Sequence, residues 1–172
     1  SQGLRALFAF AQPVELDLAA SYLTERQMAL FRQMPTVEQL HSLNVLRTVL
    51  AQSSAAHLPV PPELAVAALL HDVGKSRYPL AVWQKTLAVL TRAFAPVTFA
   101  RLSRSGNPRR PFERPFVVYV HHPAWSAEML AQTHAPPDAA WLVGYHQHRL
   151  EDVPQSDLVP LLQRLQRADD AN

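Results

Sequence analysis

The sequence predicts an all-α helical bundle, and three observations carry that prediction. Thr24-Glu25-Arg26-Gln27 and Thr36-Val37-Glu38-Gln39 both fit the capping-box pattern, in which a Thr hydroxyl and a Gln side chain satisfy free amides at a helix start. Apolar residues recur at three- and four-residue spacing over long stretches. Only Phe116 to Val120 has strand character, and five residues between a loop and a helix suit a helical turn equally well.

Taken in order, a first helix opens at Thr24. The second opens at Thr36 and carries Val37, Leu40, Leu43, Leu46 and Leu50 as one buried stripe with His41 beside it. Pro61-Pro62-Glu63 places proline where a helix begins without losing a hydrogen bond, and the apolar run that follows is expected to end at Gly74. Leu80 to Phe94 reads as another helix, ended by Pro96. Ser103 to Pro115, rich in Arg, Pro, Ser, Gly and Asn, reads as a loop. Further helices are expected at Ala124–Thr133, Asp138–His148 and Ser156–Ala168. Trp83, Trp125 and Trp141 fall on apolar helix faces, as core residues do.

A chain of 172 residues that is 48% hydrophobic can bury one core, so a single domain over 1–172 is expected, with 1–20 as an N-terminal extension and the core at about 21–172. The net charge is only +2, which gives no support for nucleic-acid binding. With no cysteine, disulfides and thiolate metal sites are excluded, so any metal is held by nitrogen and oxygen. The longest apolar stretch, Leu64–Leu70, is far short of the ~20 residues that cross a bilayer. These features suit a cytoplasmic protein without a membrane segment.

His71-Asp72 follows Ala65-Val66-Ala67-Ala68-Leu69-Leu70, and a carboxylate at the end of so apolar a helix is costly to bury without a compensating cation or donor. A backbone amide or Lys75 would serve. The other histidines at segment ends favour a metal: His41 early in a helix, His121-His122 ahead of one, His146 and His148 at the end of another. Imidazole and carboxylate are the usual ligands of first-row divalent ions.

Together these residues form an ordered motif: His41, then Leu69-Leu70-His71-Asp72-Val73-Gly74-Lys75, then Ala168-Asp169. It resembles the HD superfamily of metal-dependent phosphohydrolases over about three quarters of the chain, and His-Asp-Val-Gly-Lys resembles the subgroup called HDIG. The resemblance implies an HD-type helical bundle in which His41, His71, Asp72 and Asp169 bind one metal, with Asp72 able to bridge to a second. In the two-metal branch, a His-Pro and a later His complete the second site, and His122-Pro123 and His146 match those positions. One or two ions of Fe, Mn, Ni, Zn or Mg are expected. The chain is distantly similar to the HD-GYP cyclic-di-GMP phosphodiesterases, but Gln147 stands where their second adjacent His would be and no Gly-Tyr-Pro follows. A third metal and that particular substrate are therefore in doubt. His121, His134 and His148 have no counterpart and read as structural, and His57 as a surface residue.

The chemistry so implied is hydrolysis of a small phosphorylated substrate, a nucleotide or cyclic dinucleotide, by water made acidic at a cation. Asp72 and Lys75 are the residues assigned to catalysis. Lys75, a helical turn past the His-Asp pair, is placed to meet a phosphate as a point charge, although a helix-end lysine also interacts with the dipole. Arg101, Arg104, Arg109, Arg110 and Arg114 lie in or beside the expected loop, placed either to hold a further phosphate or to face solvent. The alternative to an enzyme is a silent HD domain that binds metal or nucleotide as a sensor. A purely structural bundle fits worst, because it leaves Asp72 beside several histidines without a compensating cation.

Overall fold

Leu64 to Leu70, the most apolar run of the sequence, are all buried, and four other helices pack against the helix that carries them. The structure, a computed structural model, describes residues 14–172, so residues 1–13 of the expected N-terminal extension lie outside the described residues. Among the described residues there are nine α-helices and no strand: α1 (Leu16–Ala20), α2 (Glu25–Gln33), α3 (Thr36–Ala55), α4 (Pro62–Leu70), α5 (Val82–Phe94), α6 (Pro96–Ser105), α7 (Arg114–Ala131), α8 (Pro137–Tyr145) and α9 (Val159–Asp170). A 3-10 turn at Val73–Arg77 follows α4, and another at Leu150–Asp152 follows α8. The buried helix α4 packs against α2, α3, α8 and α9. The 3-10 turn after it lies on α7, which also packs on α8 and carries the α5–α6 pair on its first half.

Helix α2 begins with the capping box the sequence announces: Thr24 N donates to Gln27 Oε1 at 2.9 Å and Gln27 N donates back to Thr24 Oγ1. The second expected box does not form. Pro35 takes the cap position and Thr36 is already helical, because the proline ring pre-sets the turn one residue early and carries the Thr hydroxyl out of reach of the amide. Gln39 Nε2 donates instead to Met34 O at 2.7 Å.

Three further boundaries differ from expectation. The apolar helix stops at Leu70 rather than Gly74, and the chain tightens into the 3-10 turn. Pro96 does not simply end a helix: it opens α6 in the first-turn position, where its missing N–H costs nothing. The expected loop at 103–115 thus shrinks to the stretch between Ser105 and Arg114. Pro115 likewise sits in the first turn of α7, which runs unbroken through Phe116–Val120, His121-His122 and Pro123. The β-branched run is helical because burial of Phe116, Val117 and Val118 outweighs their weak preference against helix.

Candidate metal centre

Six side chains from five parts of the chain meet where α3, α4, α7, α8 and α9 converge. His41 projects from the second turn of α3, His71 and Asp72 occupy the bend between α4 and the 3-10 turn, His122 sits within α7, His146 caps the end of α8, and Asp169 lies in the last turn of α9. His71, Asp72, His122 and His146 are buried, while His41 and Asp169 remain about a quarter exposed. His121-His122 are thus inside a helix, not ahead of one. Gln147 is exposed and points no ligand inward.

Asp72 divides its two oxygens between two groups of imidazoles. Oδ1 lies 3.2 Å from His122 Nε2 and 3.9 Å from His146 Nε2. Oδ2 lies 3.5 Å from His71 Nε2 and 3.9 Å from His41 Nε2. Asp169 Oδ1 completes the second group, 2.9 Å from His41 Nε2 and 3.5 Å from His71 Nε2. Bonds of about 2.1 Å to one cation set neighbouring ligand atoms roughly 3 to 3.5 Å apart, and four of these six separations lie in or next to that range, with the two at 3.9 Å wider. His41, His71 and Asp169 form one cluster with ligand atoms mutually within 4.8 Å, and His71, Asp72 and His146 another.

The backbone fixes which ring nitrogen faces inward. His71 Nδ1 donates to Ala68 O at 3.1 Å, His146 Nδ1 to Val143 O at 2.7 Å, and His122 Nδ1 to Val118 O at 3.0 Å and Tyr119 O at 3.1 Å. A carbonyl only accepts, so a proton belongs on Nδ1 and Nε2 is the nitrogen that faces the carboxylates. Pro123 explains the fourth bond: it has no N–H to give to Tyr119 O, and the imidazole supplies the missing donor. The Nε2 atoms of His71, His122 and His146 and Oδ1 of Asp72 are buried with no aligned hydrogen-bond partner, although His122 Nε2 comes within contact distance of Asp72. Four buried orphans gathered around one carboxylate are costly unless something binds there, and their donor chemistry fits divalent cations of the N/O-preferring kind.

One expectation is corrected here. Asp72 does have a compensating cation in the chain, since Lys75 Nζ donates to its Oδ2 at 2.6 Å. Lys75 is therefore not a free phosphate ligand as it stands, and it is the four orphaned atoms that a purely structural bundle would leave uncompensated. Sequence reasoning also missed Glu38. It is buried on α3 one turn before His41 and lies 3.6 Å from Lys75 Nζ and 2.5 Å from Lys85 Nζ. Burial alone would raise the Glu38 carboxyl, but Lys75 and then Lys85 hold it below the usual range against repulsion from Asp72. Burial opposes the charge on Lys75 too, and Asp72 and Glu38 together hold its amine above its ordinary value. The signal was a carboxylate three residues before a candidate ligand on one helix face.

The remaining histidines stand apart. His57 and His134 are exposed and adopt positive φ, 53° and 59°. His121 Nε2 meets Ser103 O at 3.1 Å and stacks on Trp125, and His148 is exposed beside Tyr145. Of the five arginines expected in or beside one loop, Arg101 and Arg104 lie on α6 and Arg114 opens α7. Trp125 and Trp141 are half-buried, but Trp83 is 47% exposed against Phe112 and is no core residue.

Burial, then the imidazoles of His71 and His122, push His146 down to about 3. His71 goes the other way: burial would lower it, but Asp72 and then Asp169 outweigh burial and raise it. A depressed His146 contributes stability above the unfolded-state value near 6.5 that is lost as pH falls, because the unfolded chain takes a proton the folded one refuses. Metal-free protein is expected to lose roughly 3 kcal/mol of His146-linked stability between pH 6.5 and 4. Denaturant titrations of chelator-treated wild type and His146→Leu check this. Parallel acid limbs in the two proteins would show that His146 is not held neutral.

No curated protein and no solved structure matches the chain. A family model for the HD domain matches residues 40–171, a span that starts one residue before His41 and contains all six converging side chains, so the chain belongs to the HD domain family.

Proposed function

We propose that this HD domain is a metal-dependent phosphohydrolase that holds two divalent ions and acts on a small phosphorylated substrate, a nucleotide or cyclic dinucleotide. The family supports metal-dependent phosphohydrolysis in general. The observation that carries the two-ion reading is the division of Asp72, with Oδ2 toward His41 and His71 and Oδ1 toward His122 and His146. In this reading His41, His71, Asp72 and Asp169 hold one ion, and Asp72, His122 and His146 the other. Bound there, such ions supply an acidified water and neutralise phosphoryl oxygens.

The chain's own residues do the rest. Ala68, Val143, Val118 and Tyr119 carbonyls keep the three buried imidazoles oriented with Nε2 inward, so little reorganisation is needed when ligands engage. The Lys75 side chain is 28% exposed, with its amine held between Asp72 and Glu38. Once Asp72 turns its charge to a cation, Lys75 retains Glu38 as its anchor and has donors left for a phosphate oxygen. Its position then depends on Glu38 rather than on the ligand set.

Elemental mass spectrometry on the untagged protein, with hydrolysis of a generic bis-phosphodiester and a nucleotide panel under added Mn, Fe or Ni, tests the reading. About two ions per chain with turnover is expected. Metal without turnover would establish the silent sensor instead, and no metal under any loading condition would end both. Lys75→Ala is expected to lower kcat roughly 10- to 100-fold with metal content unchanged. Loss of the metal, or unaltered turnover, would remove Lys75 from the role assigned to it.

A further inference from the structure

The α5–α6 hairpin turns its apolar side outward. Every large hydrophobic residue more than 60% exposed among the described residues lies between 82 and 112: Val82 at 80%, Val89 at 61%, Phe94 at 84%, Val97 at 82% and Phe112 at 72%. The inward face of α5 instead buries Gln84 and Ala88, with Gln84 Nε2 donating to Pro111 O at 2.6 Å. Phe94 and Val97 flank Ala95, the single residue that joins the helices, so the apex of the hairpin is the most apolar part of its surface. An uncovered apolar stripe of this kind marks a contact surface.

Charge identifies what it contacts. Between Asp72 and Glu113 the sequence has eight Lys and Arg and no Asp or Glu, although the whole chain is only +2. Val97, Arg101 and Arg104 follow one another at four- and three-residue spacing, all exposed, so one stripe of α6 runs from an apolar tip to a basic base. Arg101, Arg104 and Arg109 have no carboxylate partner among the described residues. A second copy seated face to face would bring arginine against arginine, which opposes self-association through this surface. An exposed apolar tip backed by arginines without carboxylate partners suits the boundary between headgroups and acyl chains of an anionic bilayer.

We propose that the α5–α6 hairpin docks this domain on anionic membrane surfaces, inserting Phe94 and Val97 and setting Arg101, Arg104 and Arg109 against lipid phosphates. This is surface attachment, not spanning: no helix among the described residues is long and apolar enough to cross a membrane. It does not depend on the metal reading.

Sedimentation of the full chain with phosphatidylcholine vesicles, with and without phosphatidylglycerol, tests it. Partition should be at least ~10-fold stronger on the anionic vesicles and should weaken with salt, since each arginine near such a surface is worth about fivefold. Phe94→Ser with Val97→Ser should reduce partition ~10-fold or more, and Arg101→Glu with Arg104→Glu should abolish the anionic preference, both with the wild-type melting temperature and metal content. Absent or composition-blind binding overturns the proposal, as does binding unmoved by either pair. A concentration-dependent dimer in light scattering that Phe94→Ser with Val97→Ser dissolves, without vesicle binding, would assign the surface to a second copy and overturn it too.

Discussion

Asp72→Asn is expected to reduce bound metal to less than about a tenth of the wild-type content and to take phosphodiester hydrolysis down by at least ~1000-fold. Among the described residues Asp72 is the carboxylate that approaches both groups of imidazoles, so replacing one of its oxygens with an amide weakens both candidate ion sites together. The substitution keeps the shape of the side chain, which separates two accounts of why the carboxylate is there. Burial would raise the Asp72 carboxyl, yet Lys75, His71 and His122 hold it well below the usual range, which favours the carboxylate form. If its role were only to neutralise Lys75, whose amine lies 2.6 Å away, Asp72→Asn would break a buried pair and cost metal-free protein about 3 kcal/mol without touching metal content. If it bridges ions, the stability loss appears and the metal goes as well. Elemental analysis of the folded variant below its melting temperature decides, and wild-type metal content would sink the proposed site.

The candidate centre was legible because its members are spread in a characteristic order, and the order survives whatever the local structure does. His41 and Asp169 are 128 residues apart yet 2.9 Å apart in space, a closeness that only the resemblance to a family could supply. Local rules did less well where proline was involved. Pro96, Pro115 and Pro123 punctuate a sequence read by propensity, but two of them sit in first turns and the third in a helix held by burial on both sides. Helix α6 and the first half of α7 were hidden for that reason. Glu38 was hidden by a different one: nothing within Thr36-Val37-Glu38-Gln39 sets it apart from an ordinary first-turn acid, and only the arrival of Lys75 and Lys85 from distant elements gives it partners where it is buried. Trp83 was misplaced because amphipathicity tells that a helix has an apolar face and not which way the face turns. On α5 it turns outward.

Gly74→Ala is expected to damage the fold and the candidate centre together. Its φ is not positive, so an alanine there meets no backbone objection of its own; the obstacle is space. A Cβ on Gly74 would stand 2.3 Å from His122 O and 2.8 Å from both Ser126 N and Ser126 Oγ. Two of those atoms are backbone, and they cannot rotate away as a flexible side chain would. The 3-10 turn and α7 must move apart, which also strains the 2.7 Å bond donated by Gly74 N to Ser126 Oγ. A cost of roughly 3 kcal/mol follows from overpacking of this severity, a fall of about 10 °C in Tm for a chain of this size. The consequence extends to the centre, because the turn carries Lys75 and continues from Asp72 while the helix carries His122. Pushing them apart lengthens the 3.2 Å approach of His122 to Asp72, and metal affinity should fall roughly 10-fold or more. Ser126→Ala separates the two effects: it removes the acceptor for Gly74 N, costing about 1 to 3 kcal/mol, but leaves the elements free to stay close, so its metal content should be near wild type. Calorimetry with metal titration on both variants tests the pair. A Gly74→Ala protein with wild-type Tm and affinity would mean that the close approach of turn to helix does not set the geometry of the site.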